Sequence, residues 1–378
     1  MTLVSGAHTD HGAVFVERGG REVVEQYGRP QSVGRAVRNG VGTIEMGYGI
    51  AVVSGDDRVA FVDNAVSNRV PERDGEGVYA LLLDPQGGIE TDMYVYNAGE
   101  RLLVFTPPDR IDPLVSEWRE NVFIQDVEIR DASGEFGVFG VHGPTATEKI
   151  ASVLNGAGAP EPALTFVRGT MVDAGVTVIA SDAPLGEEGY EVVCAAEEAP
   201  RVFDTLLTRG LNSAPFGYRS WDALTAEAGT PLFEYELRGR IPNVAGIRNA
   251  LDFEKGCYVG QEVVSRVENQ GRPSRQLIGI DLSESTGKSK GDEDADAPIP
   301  STGAAIVDGD AAIGELTRVV ESPTLGGPIA LGFVEYGAIE PGAPLAVRAE
   351  GVDVPATRAE LPFHEGSAGS SRLPRYSE

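Results

Sequence analysis

The chain has 378 residues, 41% of them hydrophobic, so it is too long for one ordinary core and two or three domains are expected. Its 58 acidic and 31 basic residues give a net charge of −27, which excludes a typical nucleic-acid-binding protein. No run of about 18 apolar residues is present, so no membrane span is expected. The acid excess is typical of a protein kept soluble at high salt, as in a salt-accumulating halophile; an ordinary acidic cytosolic protein is the alternative.

Two polar pairs predict helix starts in the first half of the chain. Ser54 with Asp57, and Thr145 with Glu148, have the spacing of a capping box. Both pairs precede apolar residues at helical intervals, and such apolar stripes usually pack against a core. Helices are therefore expected to begin close to these two positions.

Residues 79–105 predict a meander of three strands. The cluster DPQGG at 84–88 supplies the turn between the first two strands. Alternate residues of the middle strand share one face of the sheet, namely Glu90, Asp92, Tyr94 and Tyr96. Carboxylates beside aromatic rings form a candidate ligand wall, and a solvated strand face is the alternative.

The C-terminal third divides into three parts. Residues 283–301 are polar, charged and rich in Pro and Gly, and predict a disordered or solvated acidic linker. Short apolar runs separated by Gly and Pro then continue to about residue 363, which is an all-β pattern. Residues 364–378 are expected to form an unstructured tail.

The segment 249–275, which reads NALDFEKGCYVGQEVVSRVENQGRPSR, carries one of only two cysteines. The thiolate of Cys257 is a candidate nucleophile, and Lys255 or Arg266 could supply the positive charge that favours it if the loop folds back. With Cys194 as the only other cysteine, no disulfide framework is possible. The N-terminus also lacks the basic flank and apolar core of a secretory signal, so a cytoplasmic protein is expected.

The residues around this cysteine suit a turn that meets a ligand. Gly256 and Gly260 allow a sharp bend or a close backbone approach. Gln261 and Glu262 offer hydrogen-bonding groups for a heterocycle or for backbone amides. A glycine-rich turn holding a buried cysteine is the alternative.

KGCYVGQE followed by an arginine resembles the signature of the YgfZ-type folate-binding proteins, whose mitochondrial relatives assist iron–sulfur cluster assembly. The wider superfamily is that of the glycine-cleavage T-protein, an aminomethyltransferase. Weaker matches follow the same order along the chain, in HTDHGAVFVERGGREVVEQYG, PQGGIETDMYVY, GEEGYEVV, EAGTPLFEYEL and IGELTRVVESPTLGGPIALGFV. The resemblance covers most of the sequence.

The resemblance implies an α+β fold with three domains around a central folate channel and a C-terminal β-barrel. Residues 1–274 would form the aminomethyltransferase-like folate-binding region. This region would contain two interleaved α+β subdomains, the second over about 51–134. Residues 275–363 would form the barrel, interrupted by the acidic linker 283–301.

The resemblance also implies roles for individual residues. Asp92 matches a carboxylate that lies beside the folate nitrogens, and Glu191 matches a glutamate that hydrogen-bonds the pterin. Surface acids are the alternative for both. The implied catalytic set is Cys257, Asp92 and Lys255. The implied set for tetrahydrofolate is Asp92, Tyr94, Glu191, Gly256, Tyr258, Gly260, Gln261, Glu262 and Arg266.

Several positions depart from the aminomethyltransferase pattern. Trp221 and Thr225 stand where that family has arginines in a helix, and Pro184 and Thr91 replace a tyrosine and a carboxylate. Arginines shortly after the signature could attract the anionic folate tail or pair with surplus carboxylates. The departures favour the YgfZ-like branch.

Three hypotheses for function follow. The first is a tetrahydrofolate-binding protein that supports iron–sulfur cluster assembly or repair, with iron–sulfur client or assembly proteins as partners. The second is a folate-dependent one-carbon transferase, either an aminomethyltransferase or a demethylase. The third is a folate-binding scaffold without turnover. A monomer without a resident metal is expected, since two cysteines alone cannot hold a cluster.

Overall fold

The computed structural model describes residues 2–283 and 298–376. Most of the expected acidic linker, residues 284–297, therefore lies outside the described residues. In the part of the chain that is described, no helix combines the length and the apolar character that a bilayer crossing needs.

The α-helices of the described ranges are short and amphipathic, and most pack on sheets. Helix α5 begins where its polar pair predicted, with Thr145 as N-cap residue, whereas α3 begins three residues later than predicted, with Asp57 instead of Ser54 as N-cap residue. Neither side chain forms a capping hydrogen bond, so the capping boxes themselves are not formed. The helices are α1 (Ser5–Asp10), α2 (Pro30–Asn39), α3 (Arg58–Ala65), α4 (Ile111–Glu120), α5 (Ala146–Val153), α6 (Ala199–Thr208), α7 (Tyr218–Glu227), α8 (Pro242–Ala245) and α9 (Gln261–Asn269).

The strands form a hairpin, two open sheets and a closed barrel. Nearly all neighbouring strands in these sheets run antiparallel, as expected for an α+β fold. The strands are β1 (Ala13–Arg18), β2 (Arg21–Tyr27), β3 (Gly42–Glu45), β4 (Gly49–Ser54), β5 (Glu76–Leu83), β6 (Ile89–Asn97), β7 (Arg101–Thr106), β8 (Glu128–Asp131), β9 (Phe136–His142), β10 (Phe166–Met171), β11 (Ala174–Ala180), β12 (Gly189–Ala195), β13 (Ala214–Pro215), β14 (Arg275–Asp281), β15 (Ala305–Asp308), β16 (Ala311–Glu321), β17 (Pro328–Glu335), β18 (Pro344–Ala349) and β19 (Val352–Ala359).

The first open sheet has the strand order β5-β6-β7-β4-β8, which confirms the predicted meander. Both faces of β6, the middle strand of the meander, are buried, because its side chains alternate between two cores. Met93 and Val95 pack on one side with residues of α3 and α4. Tyr94 and Tyr96 face the opposite core, which the second sheet and the barrel also enter. The solvated-face alternative is therefore wrong for Asp92, which is 8% exposed.

The second open sheet has the order β10-β11-β12-β9-β3-β13. Its strand β12 pairs with β11 so that Glu191 lies opposite Ile179. Helices α5 and α6 cover one face with an apolar cluster that includes Ile150 and Phe203. The other face carries Glu191, which accepts a hydrogen bond from Tyr48, the residue just before β4 of the first sheet.

The C-terminal region closes into a six-stranded barrel in the order β14-β17-β16-β15-β18-β19. The expected all-β barrel is therefore confirmed. Its interior is filled by aliphatic side chains, including Ile280, Leu316 and Val347. Arg318 of β16 forms an ion pair with Glu236, which lies outside the barrel; its Nη2 is 3.1 Å from Oε2 of Glu236.

Residues 364–376, the described part of the expected tail, differ from expectation, because several of them are packed against the rest of the protein rather than unstructured. Ser370 and Arg372 are each 5% exposed. Tyr376 links the region before residue 275 to the barrel, since its hydroxyl donates to the carbonyl of Val244 at 3.0 Å and accepts from the amide of Leu277 at 2.6 Å. The polar composition of this segment suggested disorder, yet hydrogen bonds to the surrounding domains hold it in place.

Candidate functional site

A cavity of about 110 Å³ lies where strand β6, helix α7 and the C-terminal segment meet. Aromatic rings make up much of its wall, and two arginines enter it from opposite parts of the chain. The residues that define it are Arg18, Tyr48, Asp92, Tyr94, Trp221 and Arg372. We call this the tyrosine pocket.

Asp92 provides the carboxylate of the tyrosine pocket. Strand β6 places it opposite Leu81 of β5, and Tyr79 donates a hydrogen bond to its Oδ2 at 2.8 Å. Burial raises the pKa of Asp92 above its ordinary value, while the charge of Arg372 and the bond from Tyr79 act in the opposite direction. The pocket therefore holds a carboxylate with unusual proton affinity, as functional carboxylates often have.

Four tyrosines form a cluster beside this carboxylate, and two of them, Tyr48 and Tyr94, line the pocket. Tyr94 stacks on Tyr96 with ring centroids 6.1 Å apart, and it meets the ring of Tyr79 at 5.2 Å. Tyr48 approaches Tyr94 edge-on at 6.4 Å. Burial raises the pKa of each phenol well above its ordinary value, so they act as neutral donors. Since Tyr48, Tyr79 and Tyr94 already donate to carboxylates of the protein, the cluster offers a ligand mainly flat aromatic walls, which suit a planar heterocycle.

Glu191 reaches the tyrosine pocket through Tyr48 rather than by lining it. The hydroxyl of Tyr48 donates to Oε1 at 2.7 Å. The other oxygen, Oε2, is buried and has no hydrogen-bond partner among the described residues. Burial raises the pKa of Glu191 to about 7, since the charged form loses its hydration. A buried acceptor without a partner is a candidate ligand contact.

Glu191→Gln is expected to remove a pH-dependent loss of stability. In the folded protein the pKa of Glu191 is about 7, whereas its ordinary pKa is 4.5. The contribution of Glu191 to stability is therefore greatest below pH 4.5 and is lost as the pH rises through the folded-state pKa. The loss is on the order of 3 kcal/mol. Denaturant midpoints at pH 5 and pH 8 should differ less in the variant than in the wild type. An equal shift of the midpoint between the two pH values in wild type and variant would contradict this prediction. Glu197→Gln is the control, because Glu197 is exposed.

Arg372 and Asp182 form an ion pair at the pocket that sequence reasoning did not find. Nε of Arg372 lies 3.0 Å from Oδ2 of Asp182, and both side chains are buried. The guanidinium also lies over the rings of Tyr79 and Tyr94, at 5.1 and 5.8 Å. Tyr94 donates to the other oxygen of Asp182 at 2.8 Å. No local pattern marks Arg372, because it comes from a segment whose composition suggested disorder.

Arg18 lines the other side of the tyrosine pocket. It was not identified from the sequence either. Both of its Nη atoms donate to the carboxylate of Asp222, and Nη2 also donates to the hydroxyl of Tyr235 at 2.7 Å. Its guanidinium lies 4.8 Å above the ring of Tyr218. Since its donors are engaged by the protein, Arg18 mainly fixes the hairpin β1–β2 over the pocket.

The cysteine signature lies apart from the tyrosine pocket. None of the residues 255–266 is among those that line the pocket in the described structure. The pocket therefore does not bring together the implied catalytic set of Cys257, Asp92 and Lys255, and a catalytic role for Cys257 stays a prediction. The signature residues Gly256, Tyr258, Gly260, Gln261, Glu262 and Arg266 thus have no position on the pocket wall, and their binding of folate stays a prediction.

Lys255 is a structural residue in this arrangement. Its ammonium donates to the carbonyls of Val66 and Asn68, each at 2.9 Å, and to that of Asp63, whose carboxylate lies 3.3 Å away. Burial lowers the pKa of Lys255. The expectation that Lys255 acts on Cys257 is not met, because its donors are directed to the end of helix α3.

Cys257 itself is exposed, so the buried-cysteine alternative is wrong. Gly256 beside it is also exposed, whereas Tyr258 is buried with its ring 5.9 Å from the Lys255 ammonium. Gln261 donates weakly to the carbonyl of Lys255, at 3.4 Å.

The glycine before helix α9 fixes how the signature turn packs. Gly260 has φ +78°, and a Cβ there would lie 2.6 Å from the carbonyl oxygen of Asp84. Only glycine fits both the left-handed backbone and the close approach. Glu262 and Arg266 then follow on α9 and are exposed. The signature turn therefore supports the turn at 84–88 that begins strand β6.

Comparison with known proteins agrees with this architecture. The GCVT N-terminal domain matches residues 4–255, and the glycine cleavage T-protein C-terminal barrel domain matches residues 290–365. An aminomethyltransferase of Cutibacterium acnes is 29% identical over 97% of this chain and 98% of its own length. One of Geobacillus kaustophilus is 28% identical over 93% and 95%.

Among solved structures, the glycine cleavage system aminomethyltransferase T of Bartonella henselae superposes with a TM-score of 0.82. It covers 99% of this chain and 98% of its own, at 20% identity, and so supports the fold. The two domain matches together extend over most of the sequence, including the strand that carries Asp92 and the barrel. The chain therefore belongs to the glycine cleavage T-protein family.

Proposed function

We propose that this chain is a folate-dependent one-carbon transferase that binds tetrahydrofolate in the tyrosine pocket. The observation that carries the proposal is the buried carboxylate of Asp92, held by Tyr79 inside an aromatic cavity. The relatives named aminomethyltransferase, aligned over nearly the whole chain, support the same reaction class. This reverses the preference for the YgfZ-like branch that the sequence departures suggested.

The pocket offers groups that fit a reduced folate. The tyrosine rings supply flat walls. The unpaired Oε2 of Glu191 does not line the present cavity, but it would suit N–H donors of a pterin edge once the walls beside Tyr48 move apart. The cavity of about 110 Å³ is smaller than the roughly 300–1,000 Å³ of typical ligand pockets, so the walls must move apart to admit a whole folate.

Each residue then has a definite task. Bound tetrahydrofolate would supply the nitrogen that accepts the one-carbon unit. The Asp92 carboxylate would orient the reacting amine and stabilise positive charge that develops beside it, at a distance from bulk water. Tyr79 keeps this carboxylate in one position by its hydrogen bond. Trp221 and Tyr48 exclude water from the same space.

The experiment is a transfer assay. The purified chain is mixed with tetrahydrofolate and an aminomethyl donor, whose carbon already has the oxidation level of the product, and the methylenetetrahydrofolate formed and the ammonia released are measured. Formation that depends on both the chain and Asp92 supports the proposal. A chain that neither binds tetrahydrofolate nor forms this product would contradict it.

A second function is favoured by the exposed thiol of Cys257. An accessible cysteine beside Gly256, within a signature that resembles the YgfZ-type proteins, suits thiol chemistry with a partner protein. We therefore keep support of iron–sulfur cluster assembly or repair as the second proposal. Loss of iron–sulfur enzyme activity in cells carrying Cys257→Ser, with folate binding intact, would favour it. Unchanged enzyme activities in those cells would argue against it.

Alkylation of the native protein is expected to modify Cys257 at least about 100-fold faster than Cys194. Cys194 is 3% exposed, and burial raises its pKa to about 12, so its thiolate is scarce. Mass spectrometry of the iodoacetamide-treated chain measures both sites. Because the Lys255 ammonium is directed elsewhere, Lys255→Met should leave the Cys257 rate within about twofold in protein that remains folded. Equal labelling of the two cysteines would contradict the placement of both.

A further inference from the structure

The C-terminal segment 364–376 is built into the folate-binding region. Ser367 donates twice to the buried carboxylate of Glu187, at 2.8 Å from its amide and 2.6 Å from its hydroxyl. The hydroxyl of Ser370 lies 2.7 Å from that of Thr230. The amide of Ser371 donates to the carbonyl of Asp182 at 3.0 Å. These bonds deliver the next residue, Arg372, into the tyrosine pocket at a fixed position.

The guanidinium of Arg372 is held on three sides. Asp182 forms an ion pair with Nε, and the guanidinium lies over the rings of Tyr79 and Tyr94. Neither Nη atom forms a hydrogen bond with any residue that the structure describes, although the side chain is 5% exposed and lines the cavity. Nε is itself a buried atom without a hydrogen-bond partner in the described structure, because its contact with Asp182 is an ion pair only. Buried N–H groups usually have an acceptor, so this guanidinium keeps donors available to water or a ligand.

Arg372 differs in this respect from the other arginine of the pocket. The Nη atoms of Arg18 are both bonded to Asp222. On helix α7, Trp221 contributes a ring instead of a charge. Arg372 is therefore the cation in the described pocket whose donors are free, and it lies in the same cavity as the Asp92 acceptor.

We propose that Arg372 is a specificity-determining residue of the tyrosine pocket, and that its Nη groups donate to a carbonyl or carboxylate oxygen of the ligand. The inference rests on the proposed folate site and deepens it. A ligand without an acceptor at this position would leave a buried guanidinium unsatisfied, which is the strongest form of discrimination a polar site offers. A reduced folate carries such oxygens at two places, the oxo group of its pteridine ring and the carboxylates of its glutamate.

The first arm of the test uses the wild-type protein and three ligands in a calorimetric titration. These are tetrahydrofolate, its 4-amino-4-deoxy analogue and tetrahydropteroate, which lacks the glutamate. A loss of affinity of about tenfold or more is expected for one of the two analogues. Loss with the 4-amino analogue identifies the ring oxygen as the acceptor, and loss with tetrahydropteroate identifies the carboxylate. Equal affinity for all three would overturn the proposal.

The second arm uses variants. Arg372→Met is expected to weaken tetrahydrofolate binding about tenfold or more and to abolish the discrimination between ligands, while Arg372→Lys restores part of both. Arg375→Met is the matched control, because this arginine is exposed on the same segment, and it should bind like the wild type. Unchanged or tighter binding by Arg372→Met would overturn the inference and show that the segment obstructs the pocket. If Arg372→Met does not fold, the comparison of ligands decides.

Failure of the wider proposal would look different. If the wild type binds none of the three ligands, the proposed function fails and this inference fails with it. If the wild type binds tetrahydrofolate but Arg372→Met binds it equally well, the inference alone is wrong.

Discussion

Asp92→Asn is expected to lower the rate of one-carbon transfer by about 100- to 1,000-fold while tetrahydrofolate still binds. Asparagine keeps the shape of the side chain and can still accept the hydrogen bond from Tyr79, but it carries no charge. Removing one preorganised electrostatic group from an active site typically costs this much in rate. The measurement is methylenetetrahydrofolate formation at saturating folate, with binding followed separately by calorimetry.

The pH dependence gives this prediction a second readout. Burial raises the pKa of Asp92, so the ionised fraction, and with it the transfer rate, should rise with pH through that raised value. The Asp92→Asn variant should lose this rise. Glu90→Gln is the matched control, because Glu90 lies on the same strand, two residues away, and does not line the pocket. A wild-type rate in Asp92→Asn would show that the carboxylate takes no part.

Arg318→Met is expected to destabilise the fold by roughly 3–5 kcal/mol, because it leaves the buried carboxylate of Glu236 without its counter-charge. The two side chains are 2% and 0% exposed, and the ion pair joins the barrel to the region before residue 275. Arg318 also donates to the carbonyl of Thr230 at 2.8 Å. The denaturant midpoint, measured with an unchanged m-value, reports the loss.

A double variant separates the charge from the packing. Adding Glu236→Gln to Arg318→Met removes the unpaired carboxylate and should recover part of the lost stability. Arg348→Met provides the control, since its partner Asp353 is an exposed neighbour in the same barrel, and its midpoint should stay close to that of the wild type. A double variant as unstable as the single one would contradict the assignment of the loss to an unpaired charge.

The parts of the fold that follow from local patterns could be predicted from the sequence. Alternation along 89–97 placed Asp92 and Tyr94 on one face, and the structure turns that face toward the pocket. Short apolar runs divided by Gly and Pro indicated the C-terminal barrel, which the structure closes. In each case the pattern repeats within a few residues, so a short stretch of sequence is enough to predict the strand.

The rest of the pocket depends on contacts between distant residues. Asp182 and Arg372 form their ion pair across 190 positions of sequence, and neither lies in a periodic pattern. Conversely, nearness along the chain misled the interpretation of the signature, because Lys255 bonds to residues 63–68 rather than to its neighbour Cys257. The polar segment 364–376 suggested disorder because its partners, including Glu187, lie far away in the sequence.

A crystal structure of the chain with tetrahydrofolate bound tests the central claim most directly. The account predicts that the pteridine lies in the tyrosine pocket, against Tyr94 and within hydrogen-bonding reach of Asp92, with the pocket walls further apart than in the ligand-free protein. A folate bound instead at the exposed turn around Cys257, with the tyrosine pocket unchanged, would contradict it.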